Sequence, residues 1–191
     1  MESHLCLEMT PMHDPASILG FWFEDIDRSL WFRKDTGFDR LLIERYGALH
    51  SQATLGELYT WRESPQGRLA EIIVLDQFSR NMFRDSPKAF AQDGMALVLA
   101  QEAVGRGADE ELSAQQRVFL YMPYMHSESL AIHETAVQLF TRNGIAGNLD
   151  FELKHKAIIE RFGRYPHRNA LLGRDSTPDE LDFLSQPGSS F

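Results

Sequence analysis

This 191-residue sequence has a single cysteine, only four lysines and no long apolar run. The one cysteine, Cys6, excludes an intramolecular disulfide and fits a reducing compartment. No stretch approaches the ~20 apolar residues of a transmembrane helix, so no membrane partner is expected. The N-terminus, MESHLCLEMT, lacks the basic and apolar regions of a signal peptide, and a cytoplasmic protein is the expectation. Excess positive charge is lacking too. A net charge of −9 argues against nucleic acid or anionic membranes as bulk partners. There is no HEXXH motif and no glycine-rich phosphate loop, so neither a metal nor a cofactor is expected.

What remains is an ordinary globular composition, 43% hydrophobic and 25% charged. It is long enough for one domain, 1–191, with a sizeable core and with 1–13 and 186–191 as loose ends. The tail has a terminal ring, Phe191, that can dock it. The charge is uneven. Lys154 to Arg174 holds six cationic residues against Glu160, a local +5 that leaves −14 for the rest. Arginine outnumbers lysine 15 to 4. That bias suits bidentate pairing with carboxylate or phosphate, or with surface acids and helix ends.

Helix punctuation recurs along the chain, and no alternating strand pattern occurs. Asp14-Pro15, Ser64-Pro65 and Ser86-Pro87 each place a capping side chain before a proline. Ser113 with Gln116 and Thr177 with Glu180 form capping boxes. A helix is expected over 37–50, a short one over 52–59, and one ending at Met122-Pro123. Ser127 is the expected cap of a helix to Arg142, and Asp150 of one ending at Gly163. The expected fold is all-α, about nine helices packed as antiparallel pairs. No residue-level repeat of tetratricopeptide length occurs, although a diverged right-handed stack of helix pairs is compatible with the pattern.

The central segment Leu69–Arg84, LAEIIVLDQFSRNMFR, is apolar on nearly all faces in its first half. At about 100° per residue, Asp76, Arg80 and Arg84 then fall on the arc of Leu69 and Ile73. Charges on a core-facing stripe demand pairing, hydrogen bonds or a pocket. Asp76 either orients Arg80 toward an anionic ligand or pairs with it structurally. Gln77 and Asn81 lie on a neighbouring arc, able to bind substrate or loop carbonyls.

Two other polar blocks lie at helix ends. In Met122–Glu128, His126 and Glu128 read as an acid–base pair, or as a loop histidine and a first-turn acid. In Arg161–Arg174, Arg161 fits a helix C-terminus, while Arg168 and Asn169 follow Pro166 on a rigid turn suited to an anion or amide. His126, His133, His155 and His167 show no recognised metal spacing. Phe21, Trp22, Phe23, Trp31 and Phe32 read as a core patch rather than a pocket lining.

ILGFWF, WFRKD, LDQFSRNMFR, AFAQD, YMPYMHSE, RFGRYPHRNALLGR and STPDELDFL occur in that order. Together they resemble the domain of unknown function 924 family over nearly the whole chain. The resemblance implies a tetratricopeptide-like all-α fold in a mostly bacterial family, with no established reaction, substrate or cofactor.

The residues themselves point first to a pocket for a small anionic ligand. Asp76, His126 and Glu128 are its candidate catalytic groups. Arg80, Arg84, Gln77, Asn81, Arg161, Arg168 and Asn169 are its candidate binding groups. A concave groove clamping a peptide carboxylate is the alternative, and a purely structural network the third reading.

Overall fold

Capping side chains set where the helices begin. In the computed structural model, which describes residues 13–189, Asp14 accepts from the Ser17 amide and Ser64 from the Gly67 amide. Ser113 and Thr177 cap in the same way, each with the reciprocal bond of a capping box. Cys6, the chain end through residue 12, and Phe191 lie outside the described residues.

The described residues are all-helical, with no strand. Helix α1 runs Pro15–Gly20 and continues through a π turn, Phe21–Asp25; α2 is Thr36–Thr54. Helix α3 runs Pro65–Ile73, passes through a π turn at Val74–Phe78 and finishes at Ser79–Met82. Then come α4 (Asp93–Gly105), α5 (Ala114–Met125), α6 (Leu130–Asn143), α7 (Ala146–Phe162) and α8 (Pro178–Leu184). None is long and apolar enough to cross a membrane.

Helix α3 is the axis of the core. Every residue from Leu69 to Ser79 is buried, because α1, α2, α4 and α5 all pack against it. Against it α2 turns Phe38, Leu42, Tyr46, Leu49 and Ala53, a stripe at helical spacing. Trp22, Phe78 and Phe119 meet beside that stripe, so of the N-terminal aromatics Phe21 and Trp22 are core, Phe23 and Trp31 pack against it half-buried, and Phe32 is exposed. The start of α3 requires glycine: a Cβ on Gly67 would lie 1.9 Å from the Trp61 carbonyl oxygen. A second, smaller cluster of Ile158, Ile159 and Tyr165, with Phe162 and Phe183, holds the C-terminal segments together.

Several boundaries differ from the sequence expectation for local reasons. The separate 52–59 helix is absent, since α2 itself runs to Thr54 before a turn and a 3-10 segment at Tyr59–Glu63. Helix α5 passes through Pro123 to Met125, because proline removes only one amide and the His126 amide still reaches the Met122 carbonyl. Helix α6 begins at Leu130 after an N-cap, Ser129, that gives no side-chain bond. Helix α7 begins at Ala146, four residues ahead of Asp150.

Candidate functional site

A cleft of about 310 Å³ opens where three segments meet. The 3-10 turn Pro87–Phe90 and the start of α4 supply Phe90, Asp93, Gly94 and Leu97. The end of α5 supplies Pro123 and His126, with Ser127 and Glu128 beyond it. The turn Pro166–Arg168 supplies Arg168, followed by Leu172.

Beneath the cleft lies Asp76, carried by the π turn of α3 and fully buried. A π turn adds one residue to a helical turn and shifts everything after it around the axis. Asp76 Oδ2 accepts from Gln77 Nε2 at 2.6 Å, and Oδ1 lies 3.0 Å from Arg80 Nη1 and 2.8 Å from His126 Nδ1. Burial alone would raise the Asp76 carboxyl. The Arg80 guanidinium and the His126 and Gln77 bonds outweigh it and hold the group well below the usual carboxylate range.

An ionised carboxylate only accepts, so His126 donates from Nδ1. Burial, and then the Arg80 charge, push His126 below its ordinary value despite the opposing pull of Asp76. The imidazole is therefore neutral at pH 7, with its lone pair on Nε2. That atom has no hydrogen-bond partner among the described residues, on a side chain that lines the cleft.

The backbone carrying His126 is held at three successive carbonyls. Tyr165 Oη donates to Met125 O at 2.5 Å, and Arg168 Nη2 donates to His126 O at 3.1 Å. His133 Nε2 donates to Ser127 O at 2.8 Å. Arg168 is itself stacked between Phe90 and Tyr165, its guanidinium carbon 4.5 and 4.6 Å from the two ring centres. Its Nη1 donates to Asp93 Oδ2 at 3.1 Å, and Arg80 donates to both Asp93 oxygens at 2.9 and 3.1 Å.

The model of the family described as bacterial proteins of unknown function, DUF924, matches residues 18–188. The chain belongs to DUF924. A solved structure of a protein of unknown function from Agrobacterium tumefaciens is 38% identical, with a TM-score of 0.85 over 90% of this chain and 96% of that one. No curated protein matches the chain. In this DUF924 chain, then, chemistry must be argued from the cleft itself.

Of the residues singled out in the sequence, Asp76, Gln77, Arg80, His126 and Arg168 come together at the cleft or directly beneath it. Glu128 lines the cleft without touching His126. Its oxygens accept from the Tyr165 amide and from both Nη atoms of Arg174. Asn169 stands behind that pair, accepting from Arg174 Nε at 3.0 Å. Asn81, still within α3, and Arg84, past its end at Met82 and off the helical arc, both donate to Asp39 instead. Arg161 lies elsewhere, in a groove of about 390 Å³ with Phe162, Arg164 and Thr177.

Phe90, Asp93 and Tyr165 were not singled out in the sequence, and Arg174 only as one cation of the basic block. Around Tyr165 also gather three buried or part-buried imidazoles, with His155 edge-on to its ring, His167 tilted against it and His133 hydrogen-bonded to it. Contrary to the expectation that these histidines carry no metal-type spacing, Glu152 and His155 stand at Glu-x-x-His spacing on α7. No group of three or more His, Cys, Asp or Glu among the described residues is placed to hold a metal ion.

Proposed function

We propose that the cleft binds a small molecule bearing a carboxylate or phosphate and that His126 acts on it as a general base. The observation that carries this reading is the pair formed by buried Asp76 and His126. It fixes the ring through Nδ1 and leaves Nε2 unprotonated, with no hydrogen-bond partner among the described residues, on a side chain that lines the cleft. Among the described residues no side-chain hydroxyl or thiol is hydrogen-bonded to Nε2, so the proton comes from a water or from the ligand itself. Activation of water for hydrolysis is the reaction class this favours.

Arg168 supports the anionic part of the reading. Its guanidinium is buried at the cleft wall, and its Nε has no hydrogen-bond partner among the described residues. Phe90, Leu97, Pro123 and Leu172 give the apolar remainder of a small-molecule site. The cleft volume of about 310 Å³ suits a small molecule better than a peptide strand.

The test is a panel of small carboxylates and phosphate esters screened by thermal shift, with hits followed for turnover by NMR. Arg168→Gln should abolish the ligand-induced shift. His126→Gln should keep the shift and lose turnover. A shift that survives Arg168→Gln across the whole panel overturns the proposal.

A further inference from the structure

Asp93 occupies the place that an anionic ligand would want. Its carboxylate takes three N–H donors from two guanidiniums: Arg80 Nη1, Arg80 Nη2 and Arg168 Nη1. That is how two arginines hold a free carboxylate or phosphate. Asp76, the other acid on Arg80, is sealed in the core, whereas the Asp93 side chain is 19% exposed and lines the cleft.

The charges decide what can enter. Arg80 and Arg168 carry +2 and Asp76 and Asp93 carry −2, so the buried group is balanced as it stands. An anion added beside it would leave a net negative charge in a poorly solvated place. An anion that replaces Asp93 leaves the balance unchanged. The two guanidiniums also require something between them, since each faces the other's charge. Asp93 has somewhere to go. It is the first residue of α4, whose N-cap Gln92 gives no side-chain bond, and an acid there is favoured by the helix dipole. Its neighbour Gly94 has nothing within 4 Å of where a Cβ would stand, so the helix start is unobstructed on that side.

We infer that Asp93 is an exchangeable counter-ion, displaced from Arg80 and Arg168 when the carboxylate or phosphate of a ligand takes its place. This rests on the cleft being a ligand site. It adds that binding and the Asp93 contact exclude one another, so the resting protein is held in a self-occupied state.

The experiment titrates inorganic phosphate and, separately, succinate into the wild-type protein, Asp93→Asn and Asp93→Ala, by calorimetry and by NMR of the His126 imidazole and the Asp93 amide. Both variants should bind one or both probes at least about tenfold more tightly than wild type. The gain should vanish when Arg168→Gln is added. In the wild-type protein, the Asp93 and His126 signals should move together and saturate together. Asp93→Asn keeps the side-chain shape, and the wild-type titration needs no variant to fold. His126 signals that move while Asp93 stays fixed, with no tighter binding in the variants, overturn the exchange and leave the cleft as a ligand site. No binding of either probe by any of the three proteins overturns both. Tighter phosphate binding without tighter succinate binding, or the reverse, supports the exchange and assigns the ligand's anionic group.

Discussion

Glu152 Oε1 lies 2.7 Å from His133 Nδ1, and neither side chain has any surface exposed to solvent. The other nitrogen of His133 faces the Ser127 carbonyl, which only accepts, so Nε2 carries a proton. Burial pushes the Glu152 carboxyl up, and its second oxygen has no hydrogen-bond partner among the described residues. With the shared proton on Glu152, the direction in which burial pushes it, the pair carries no net charge into the core. Glu152→Gln, whose amide donates at the same place, should therefore cost under about 1 kcal/mol in urea unfolding. Glu152→Ala strands His133 and should cost roughly 3 kcal/mol. Equal losses for the two variants would show that the pair is ionised instead.

Acid should weaken the fold from just below neutral pH. Burial drives His155 down to about 3 and His167 down to about 4. In the unfolded chain both return to about 6.5, so the unfolded state takes up protons first as pH falls. Stability is then full above that value and declines until each folded-state value is passed, by roughly 1 kcal/mol per pH unit per residue. Urea midpoints at pH 7.5, 5.5 and 4.5 should fall steadily, and His155→Gln should flatten the slope. A midpoint unchanged between pH 7.5 and 5.5 contradicts the assignment.

Asp76 and Glu128 are both paired acids at the cleft, yet their removal should differ. Asp76→Ala leaves Arg80 short of a partner in the core, and a broken buried pair typically costs about 3–5 kcal/mol. Glu128 and Arg174 are each about a quarter exposed. Discounted for solvent screening, Glu128→Ala should cost about 1–2 kcal/mol, much of it from the Tyr165 amide. Chemical denaturation of the two variants separates them. A loss for Glu128→Ala as large as that for Asp76→Ala would make the Glu128–Arg174 pair part of the core.

Gly67→Ala should be among the worst conservative changes in the protein. The Trp61 carbonyl that a methyl would strike is backbone, and it cannot rotate aside. A loss of at least ~2 kcal/mol is expected, read as a lowered melting temperature. A variant as stable as wild type would mean that the 3-10 segment before α3 shifts freely.

Most of the fold was legible because its signals are local. Asp14-Pro15, Ser64-Pro65 and the boxes at Ser113 and Thr177 each act within four residues, and each caps a helix. The start of α7 was not, because Asp150 is a good cap in principle while tertiary packing extends that helix to Ala146. At the site, the buried Asp76–Arg80 pairing followed from spacing alone. The partner of His126 did not. Sequence proximity favours Glu128, two residues away, but the imidazole meets Asp76 from a segment 50 residues earlier. Arg84 and Arg168 likewise find their carboxylates 45 and 75 residues away. Residue type identifies the need for a counter-ion, and only the folded chain supplies it.

The π turn at Val74–Phe78 makes the cleft sensitive to chain length as well as to residue identity. One amino acid is looped into α3 there beyond what a regular helix would use. Excising one residue between Val74 and Phe78 would let the segment relax to uniform winding without disturbing either flank. The residues past the cut would keep their place on the helix, while Asp76, which the bulge itself carries, would lose the wide turn that sets its carboxylate against His126. A shortened relative could thus keep every side chain named here and still present a different cleft.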